Sequence, residues 1–248
     1  SIIGSRKPTK YGERMTKKFT KELSLYGLTI VSGMAEGIDS FAHTTALENQ
    51  GKTIAVLPCG FNKIFPKSNI KLYQQILEND GLVISEYEEN QEKTYKSLLE
   101  RNRIVAGLSI GTLVVEGGYR SGTSVTARKT KEIRKNVFCI PSSLENPKGI
   151  TPNKLIQNGA FLVTTVEDIV EKYPELKLKK IEVQKPKEKG VEPEFKEIYD
   201  ILSFEKSIHI NEIAKKLQQP ISEINSKLMM LEIDGKVIAL PGNNYKKF

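Results

Sequence analysis

Apolar positions along the first two thirds of this chain follow two alternating rhythms. Short apolar runs at Ile2-Ile3, 28–32, 53–57, 82–85, 112–115, 137–140 and 161–163 read as strands, and Thr112-Leu113-Val114-Val115 as one buried on both faces. Between them, residues 10–26, 37–49, 70–78, 95–106, 124–134 and 151–158 carry the three-to-four-residue spacing of helices. Strand and helix in strict alternation predict an α/β fold, a doubly wound Rossmann-like parallel sheet with right-handed crossovers. In such a sheet, ligands bind beyond the carboxyl ends of the strands.

The pattern then changes. Residues 177–190 read KLKKIEVQKPKEKG, rich in lysine and nearly free of large apolar side chains, which describes a solvated tether. Beyond it, helical spacing at 195–202, 211–217 and 221–233, a strand at 237–240 and the turn Pro241-Gly242-Asn243-Asn244 predict a small winged-helix domain. The expected organisation is a Rossmann-like domain over 1–173, a Lys-rich linker over 174–193 and a C-terminal winged helix over 194–248.

Composition narrows the function. The 248 residues are 38% hydrophobic and 27% charged, with a net charge of +8 and a pI near 9.2. That balance favours acidic partners, nucleic acid foremost. No apolar run approaches the roughly 20 residues that span a bilayer, so no membrane role is expected. Cys59 and Cys139 are isolated and lack metal-ligand spacing, which fits a reducing cytoplasm and argues against thiol or zinc chemistry. No cofactor is expected. A sequence that opens on Ser1 inside a strand, without Met, leads us to expect a preceding segment.

The densest chemistry lies in RNRIVAGLSIGTLVVEGGYRSGTSVTA, residues 101–127. A basic helix runs into a buried strand, and a Gly-rich turn then opens a further helix. Such a turn offers backbone N–H groups and a helix dipole to an anion. The common nucleotide signatures are absent. Gly4-Ser5-Arg6-Lys7-Pro8 lacks GxGxxG, and Thr123 stands where a P-loop lysine would be. His43 and His209 are the only histidines, and each reads as a packing or surface residue.

Several ordered blocks closely resemble the DNA-processing protein A (DprA/Smf) family. They are Gly4-Ser5-Arg6, Ser32-Gly33-Met34-Ala35-Glu36-Gly37-Ile38-Asp39, Leu57-Pro58-Cys59-Gly60 with Phe65-Pro66-Lys67-Ser68-Asn69, the block from Arg101 to Ser109, Val115-Glu116 with Ser121-Gly122-Thr123, Thr126-Ala127, Ile140-Pro141-Ser142, and Leu155-Ile156 with Gly159-Ala160. The resemblance implies a cytoplasmic, non-enzymatic protein that binds single-stranded DNA. It further implies protection of incoming strands and help in loading a RecA-type recombinase during natural transformation and recombination. Family members pair through their α/β domains, so a homodimer through the Rossmann-like domain is expected, near 150–163.

Each block falls where a strand ends. The expected nucleic-acid-binding set is therefore Ser5, Arg6, Gly33, Met34, Gly37, Lys67, Asn69, Arg101, Arg103, Ser121, Gly122 and Thr123. Glycines admit phosphates close to the backbone, and the basic side chains supply charge. Arg101 and Arg103 lie two apart on a helix and point to different faces. One is expected to face DNA while the other meets an internal carboxylate, Glu116 or Asp39, both read as orienting basic side chains. Where the family carries a stacking aromatic, three residues before Arg101, this sequence has Leu98, and Tyr95 lies one helical turn earlier.

Two other functions compete. The turn 117–123 is similar to that of LOG-type phosphoribohydrolases, whose catalytic Glu follows shortly after. Here Val125-Thr126-Ala127-Arg128 offers none, and Glu132 lies too far along the helix. A winged-helix transcriptional regulator would need a basic recognition helix, yet 221–233 carries Lys227 alone beside Glu223 and Glu232. Its apolar surface suits a protein partner better.

Overall fold

The computed structural model describes residues 1–119, 121–181, 193–204 and 207–247. The chain divides into two compact units, Ser1–Glu182 and Val183–Phe248.

In the first unit the strands are β1 (Ile2–Ile3), β2 (Ile30–Ser32), β3 (Thr53–Val56), β4 (Leu82–Ile84), β5 (Gly111–Val114), β6 (Asn136–Cys139) and β7 (Phe161–Leu162). The helices are α1 (Lys10–Leu25), α2 (Ile38–Glu48), α3 (Ile70–Glu78), α4 (Tyr95–Glu100), α5 (Asn102–Leu108), α6 (Gly122–Glu132), α7 (Ile150–Gln157) and the short α8 (Glu167–Val170). All strand pairs are parallel, in the orders β1-β5-β6-β7 and β2-β3-β4. β1 and β2 lie side by side, and Ser32 Oγ donates to the Ile2 carbonyl at 2.6 Å. The winding runs outward from β1 to β4, then restarts beyond β1 at β5. It reverses between β1 and β5, which is where a doubly wound sheet opens a crevice.

Why both faces are covered follows from the strand period of two. Ile2, Leu113, Val115, Phe138 and Ile140 point to one side, into a core with Phe19 and Leu23 of α1 and Ile38, Ala42 and Ala46 of α2. Their neighbours Ile3, Val114, Val137 and Cys139 point to the other, against Val105 of α5 and Ala127 of α6. A third cluster joins Ala55, Leu57 and Val83 to Leu72 and Ile76 of α3. The continuous apolar run 112–115 thus belongs to a strand, β5, buried on both faces, whereas the runs at β4 and β7 leave Leu82, Phe161 and Leu162 exposed. Cys59 and Cys139 are free and buried, and burial pushes the Cys139 thiol up to about 12.

The structure corrects one expected element. The helix read over 95–106 is two, α4 and α5, with Arg101 at the joint. There the ladder tightens, Ile104 N donating to the Arg101 carbonyl at 2.9 Å, so the backbone turns and carries the Arg101 side chain inward. α4 starts on a reciprocal cap, with Ser97 N donating to Thr94 Oγ1 and Thr94 N to Ser97 Oγ.

The second unit holds α9 (Pro193–Ile201), β8 (Ile208–His209), α10 (Ile210–Leu217), α11 (Ile221–Ile233), β9 (Val237–Leu240) and β10 (Asn244–Lys247). Its three strands are antiparallel in the order β8-β10-β9, a winged-helix arrangement over a core of Ile198, Ile213, Ile224, Leu228 and Leu231. His209 caps α10, its Nδ1 accepting from Asn211 N. Of the expected Lys-rich linker, 182–192 lies outside the described residues, as does Arg120 of the Gly-rich turn. Residues 174–181 follow the first unit: a 3₁₀ turn spans Pro174–Leu176, and Ile181 N donates to the Leu25 carbonyl at 2.6 Å.

Candidate functional site

Loops leaving β1, β2 and β5, with α4 and α5 above them, enclose a cavity of about 430 Å³ at the reversal of winding. Ser5 and Arg6 come from the first loop, Gly33 and Asp39 from the second region, and Gly118, Ser121, Gly122 and Thr123 from the third. A second cavity, of about 420 Å³, is bounded by Arg6, Gly33, Arg101 and Leu98 as well, and adds Lys67. Seven of the twelve expected site residues thus line the first cavity, and Lys67 lines the second. Met34, Gly37, Asn69 and Arg103 line neither.

Arg101 is only 5% exposed. Its Nη1 donates to the carbonyls of Gly33 and Val56, and its Nε to Asn102 Oδ1 at 3.3 Å. Beside it lies Asp39, also buried, whose Oδ2 accepts from Gly33 N at 3.1 Å and Ala35 N at 3.4 Å. Burial raises the Asp39 carboxyl above the usual range, while the Arg101 charge and these donors pull it back. Burial likewise lowers Arg101, opposed by Asp39. Two compensating charges therefore tie the ends of β2 and β3 to the helix joint. Gly33 is dictated by that closeness, since a Cβ there would sit 2.5 Å from Arg101 Nη2.

The residues outside the cavities hold up the lining. Met34 is fully buried with φ at +59°, an uncommon backbone for its side chain. Asn69 fixes it, Nδ2 donating to the Met34 carbonyl at 2.8 Å and to Ser40 Oγ at 2.9 Å. Gly37, at φ +79°, brings its backbone against the Ser5 and Arg6 carbonyls, where a Cβ would collide, and Ile38 N donates to the Ser5 carbonyl at 3.1 Å. Met34, Gly37 and Asn69 thus shape the loops instead of facing the cavity. Arg103 is exposed and ion-paired with Glu86.

Of the two carboxylates read as orienting basic side chains, Asp39 lies beside Arg101, whereas Glu116 serves Thr9. Fully buried, Glu116 accepts from Thr9 N at 2.9 Å, Thr9 Oγ1 at 2.5 Å and Asn146 Nδ2 at 3.3 Å. Thr9 in turn caps α1, so Glu116 anchors the loop that presents Ser5 and Arg6.

What faces the open space is a different set. Within the described residues, no hydrogen bond or ion pair engages the Arg6 guanidinium or the Lys67 ammonium. Ser121 begins α6 with its side chain uninvolved in the cap, leaving the positive end of an eleven-residue helix turned to the cavity. Tyr95 is 79% exposed at the rim, and Leu98 lines both cavities. Sequence reasoning passed over Gly118 and the apolar wall of Pro58 and Phe65. The Gly117-Gly118 doublet and the Phe65-Pro66 pair were the available signals. Among the described residues, no group of three His, Cys, Asp or Glu is placed to hold a metal, and no helix is long and apolar enough to cross a membrane. On α11, Lys227 is tied to Glu223 at 2.6 Å, while Met229, Met230 and Ile233 are exposed.

The family model of DNA recombination-mediator protein A matches residues 1–174, and that of the DprA winged helix domain matches 182–243. Protein Smf of Escherichia coli is 36% identical across 98% of this chain and 66% of its own length. DNA processing protein DprA of Bacillus subtilis is 38% identical across 70% of this chain and 58% of its own. The chain thus spans less than two thirds of the length of these relatives. Among solved structures, DNA processing protein A of Streptococcus pneumoniae aligns with a TM-score of 0.64 and 38% identity, over 69% of this chain and 60% of that one. DNA processing protein A of Helicobacter pylori, described for its single-stranded DNA binding mode, aligns with a TM-score of 0.64 and 34% identity, over 70% and 79%.

Proposed function

The chain belongs to the DNA recombination-mediator protein A family, and from that premise we propose that it binds single-stranded DNA along the two adjoining cavities, without catalysing a reaction. The observation that carries this reading is the pairing pattern of the cations. Among the described residues, Arg6 and Lys67 stand unengaged on the cavity walls, Arg6 in the cavity that the amino end of α6 also lines, while Arg101 is consumed inside the protein. Free cations and a helix terminus suit phosphates, which carry no sequence information. Apolar walls and the exposed Tyr95 suit bases that have left a duplex stack.

A LOG-type hydrolase reading finds no support in the described residues of α6. The turn of α6 where a LOG-type enzyme places its Glu holds Thr126 and Ala127, both buried, and Glu132 pairs with Lys129 at the far end of the helix. The recombination-mediator family supports a further step in which the bound strand is protected and passed to a RecA-type recombinase in the cytoplasm. The test is binding of a labelled single strand against the matching duplex over a salt series. Single-strand preference and a steep loss of affinity with salt are expected, whereas equal or tighter duplex binding overturns the reading.

A further inference from the structure

The second cavity contains a group that phosphate binding does not explain. Pro58, Phe65, Pro66, Ala35 and Leu98 give it apolar walls, with Arg6, Arg101 and Lys67 beside them. Glu36 is the one carboxylate among its lining residues. Its Oε1 accepts from Ser68 Oγ at 2.7 Å, both side chains being exposed, which holds the carboxylate at the cavity mouth. Oε2 has no donor among the described residues, and no ion pair within them joins Glu36 to any of the three cations lining the same space. A carboxylate placed to neutralise those cations would be paired with one.

From this arrangement we infer that the cavity takes one unstacked base and that Glu36 selects among bases, accepting a hydrogen bond from an exocyclic amino group. The volume of about 420 Å³ falls in the range of about 300–1,000 Å³ usual for small-molecule pockets, ample for a single base. Apolar walls take the faces of the base, and the free Oε2 meets its edge. Cytosine N4 and adenine N6 donate, while thymine presents only the O4 acceptor at the corresponding position. A carboxylate therefore welcomes cytosine or adenine and repels thymine. Binding that is sequence-tolerant overall acquires a bias against thymine at one position in the strand.

This inference rests on the single-strand reading of the groove, and the experiment separates the two. The full chain and Glu36→Gln are titrated with short homopolymers of deoxycytidine and of deoxythymidine at one salt concentration. Gln keeps an acceptor for Ser68, so the loop is preserved, and an unchanged thermal melting point checks this. Because each homopolymer stacks differently in solution, the informative quantity is the cytidine-to-thymidine affinity ratio of the variant relative to that of the wild type. It is expected to fall by about three- to tenfold, with thymidine binding strengthened and cytidine binding weakened. A uniform gain for both strands would assign Glu36 to plain phosphate repulsion and overturn the inference, as would no change in either. Failure of the wild type to bind either strand would overturn the groove reading itself.

Discussion

Arg101 and Arg103 are separated by one residue yet end in opposite environments. The first is buried against Asp39 and two strand-end carbonyls, the second exposed and paired with Glu86. Arg101→Ala leaves the Asp39 carboxyl buried beside an empty site and two carbonyls unsatisfied. A loss of about 3–5 kcal/mol in unfolding free energy is expected. Lysine will not rescue it, since one ammonium cannot reproduce the planar fork that spans two carbonyls. Arg103→Ala, at a pair open to solvent, should change stability by no more than about 1 kcal/mol. Denaturant unfolding of the three variants decides: a stable Arg101→Ala would return Arg101 to the list of plain DNA contacts.

Arg6→Ala and Lys67→Ala should behave the other way, weakening single-strand binding while leaving the melting temperature near that of the wild type. Neither side chain supports a neighbour within the described residues. Each variant should also flatten the dependence of log K on log salt by about 0.7, the contribution of one phosphate contact on a single strand. Normal affinity with an unchanged slope in both variants would show that the groove lies elsewhere.

Tyr95 presents an exposed ring at the cavity rim, while Leu98, partly buried, occupies the position of the family's stacking aromatic. If the ring receives a base, Tyr95→Ala weakens binding by about 1–3 kcal/mol and Tyr95→Phe is nearly neutral. Replacement of Leu98 by Phe should then add affinity, by supplying a second platform. Fluorescence anisotropy at fixed salt reads all three, and an indifferent Tyr95→Ala would remove the ring from the interface.

The sheet, its helices and the strand ends that carry the loops were legible because apolar runs and helical spacing record burial directly. The strand-end rule then placed Ser5, Arg6, Gly33 and Ser121 around one crevice. What the chain did not disclose was depth. Arg101, Arg6 and Lys67 are equally cationic as letters, and only the turn between α4 and α5 sends one of them inward. Met34 and Asn69 sit in a block that looks like a binding loop because the loop's own framework demands those residues. Glu36 is inconspicuous for a related reason: that no cation among the described residues pairs with it is visible only in three dimensions.

His43 gives the fold a dependence on pH. It is fully buried, with Nδ1 2.7 Å from Thr53 Oγ1. Thr53 donates its own proton to the Ile30 carbonyl at 2.8 Å, so the ring is the neutral Nδ1–H tautomer and donates to Thr53. Burial, reinforced by the Arg101 charge, lowers its pKa from 6.5 to about 3. The folded-state value is depressed, so the unfolded chain takes up the proton first. His43's contribution is complete above pH 6.5 and is lost as pH falls towards 3. Between pH 7 and pH 5 the wild type should lose about 2 kcal/mol through this one group. Urea unfolding at both values, compared with His43→Gln, isolates the effect, and an equal pH dependence in the variant would contradict it.

The final expectation is a homodimer through the α/β unit. Among the described residues β7 pairs only with β6, at the edge of its sheet. Val163 and Ala160 beside it are buried, and Leu155 and Ile156 pack partly against the core, so the segment 150–163 is fixed in place. Phe161 and Leu162, however, remain 38% and 50% exposed. An edge strand with open backbone groups and two exposed apolar side chains invites a second copy. Two grooves related by a two-fold axis would then hold one long strand with greater avidity than either alone. Sedimentation at micromolar concentration should show a dimer, and Leu162→Glu a folded monomer that binds short strands normally and long strands more weakly. A wild-type monomer would defeat this expectation, and an unfolded Leu162→Glu chain would assign the side chain to the core of the subunit, leaving the dimer to form elsewhere.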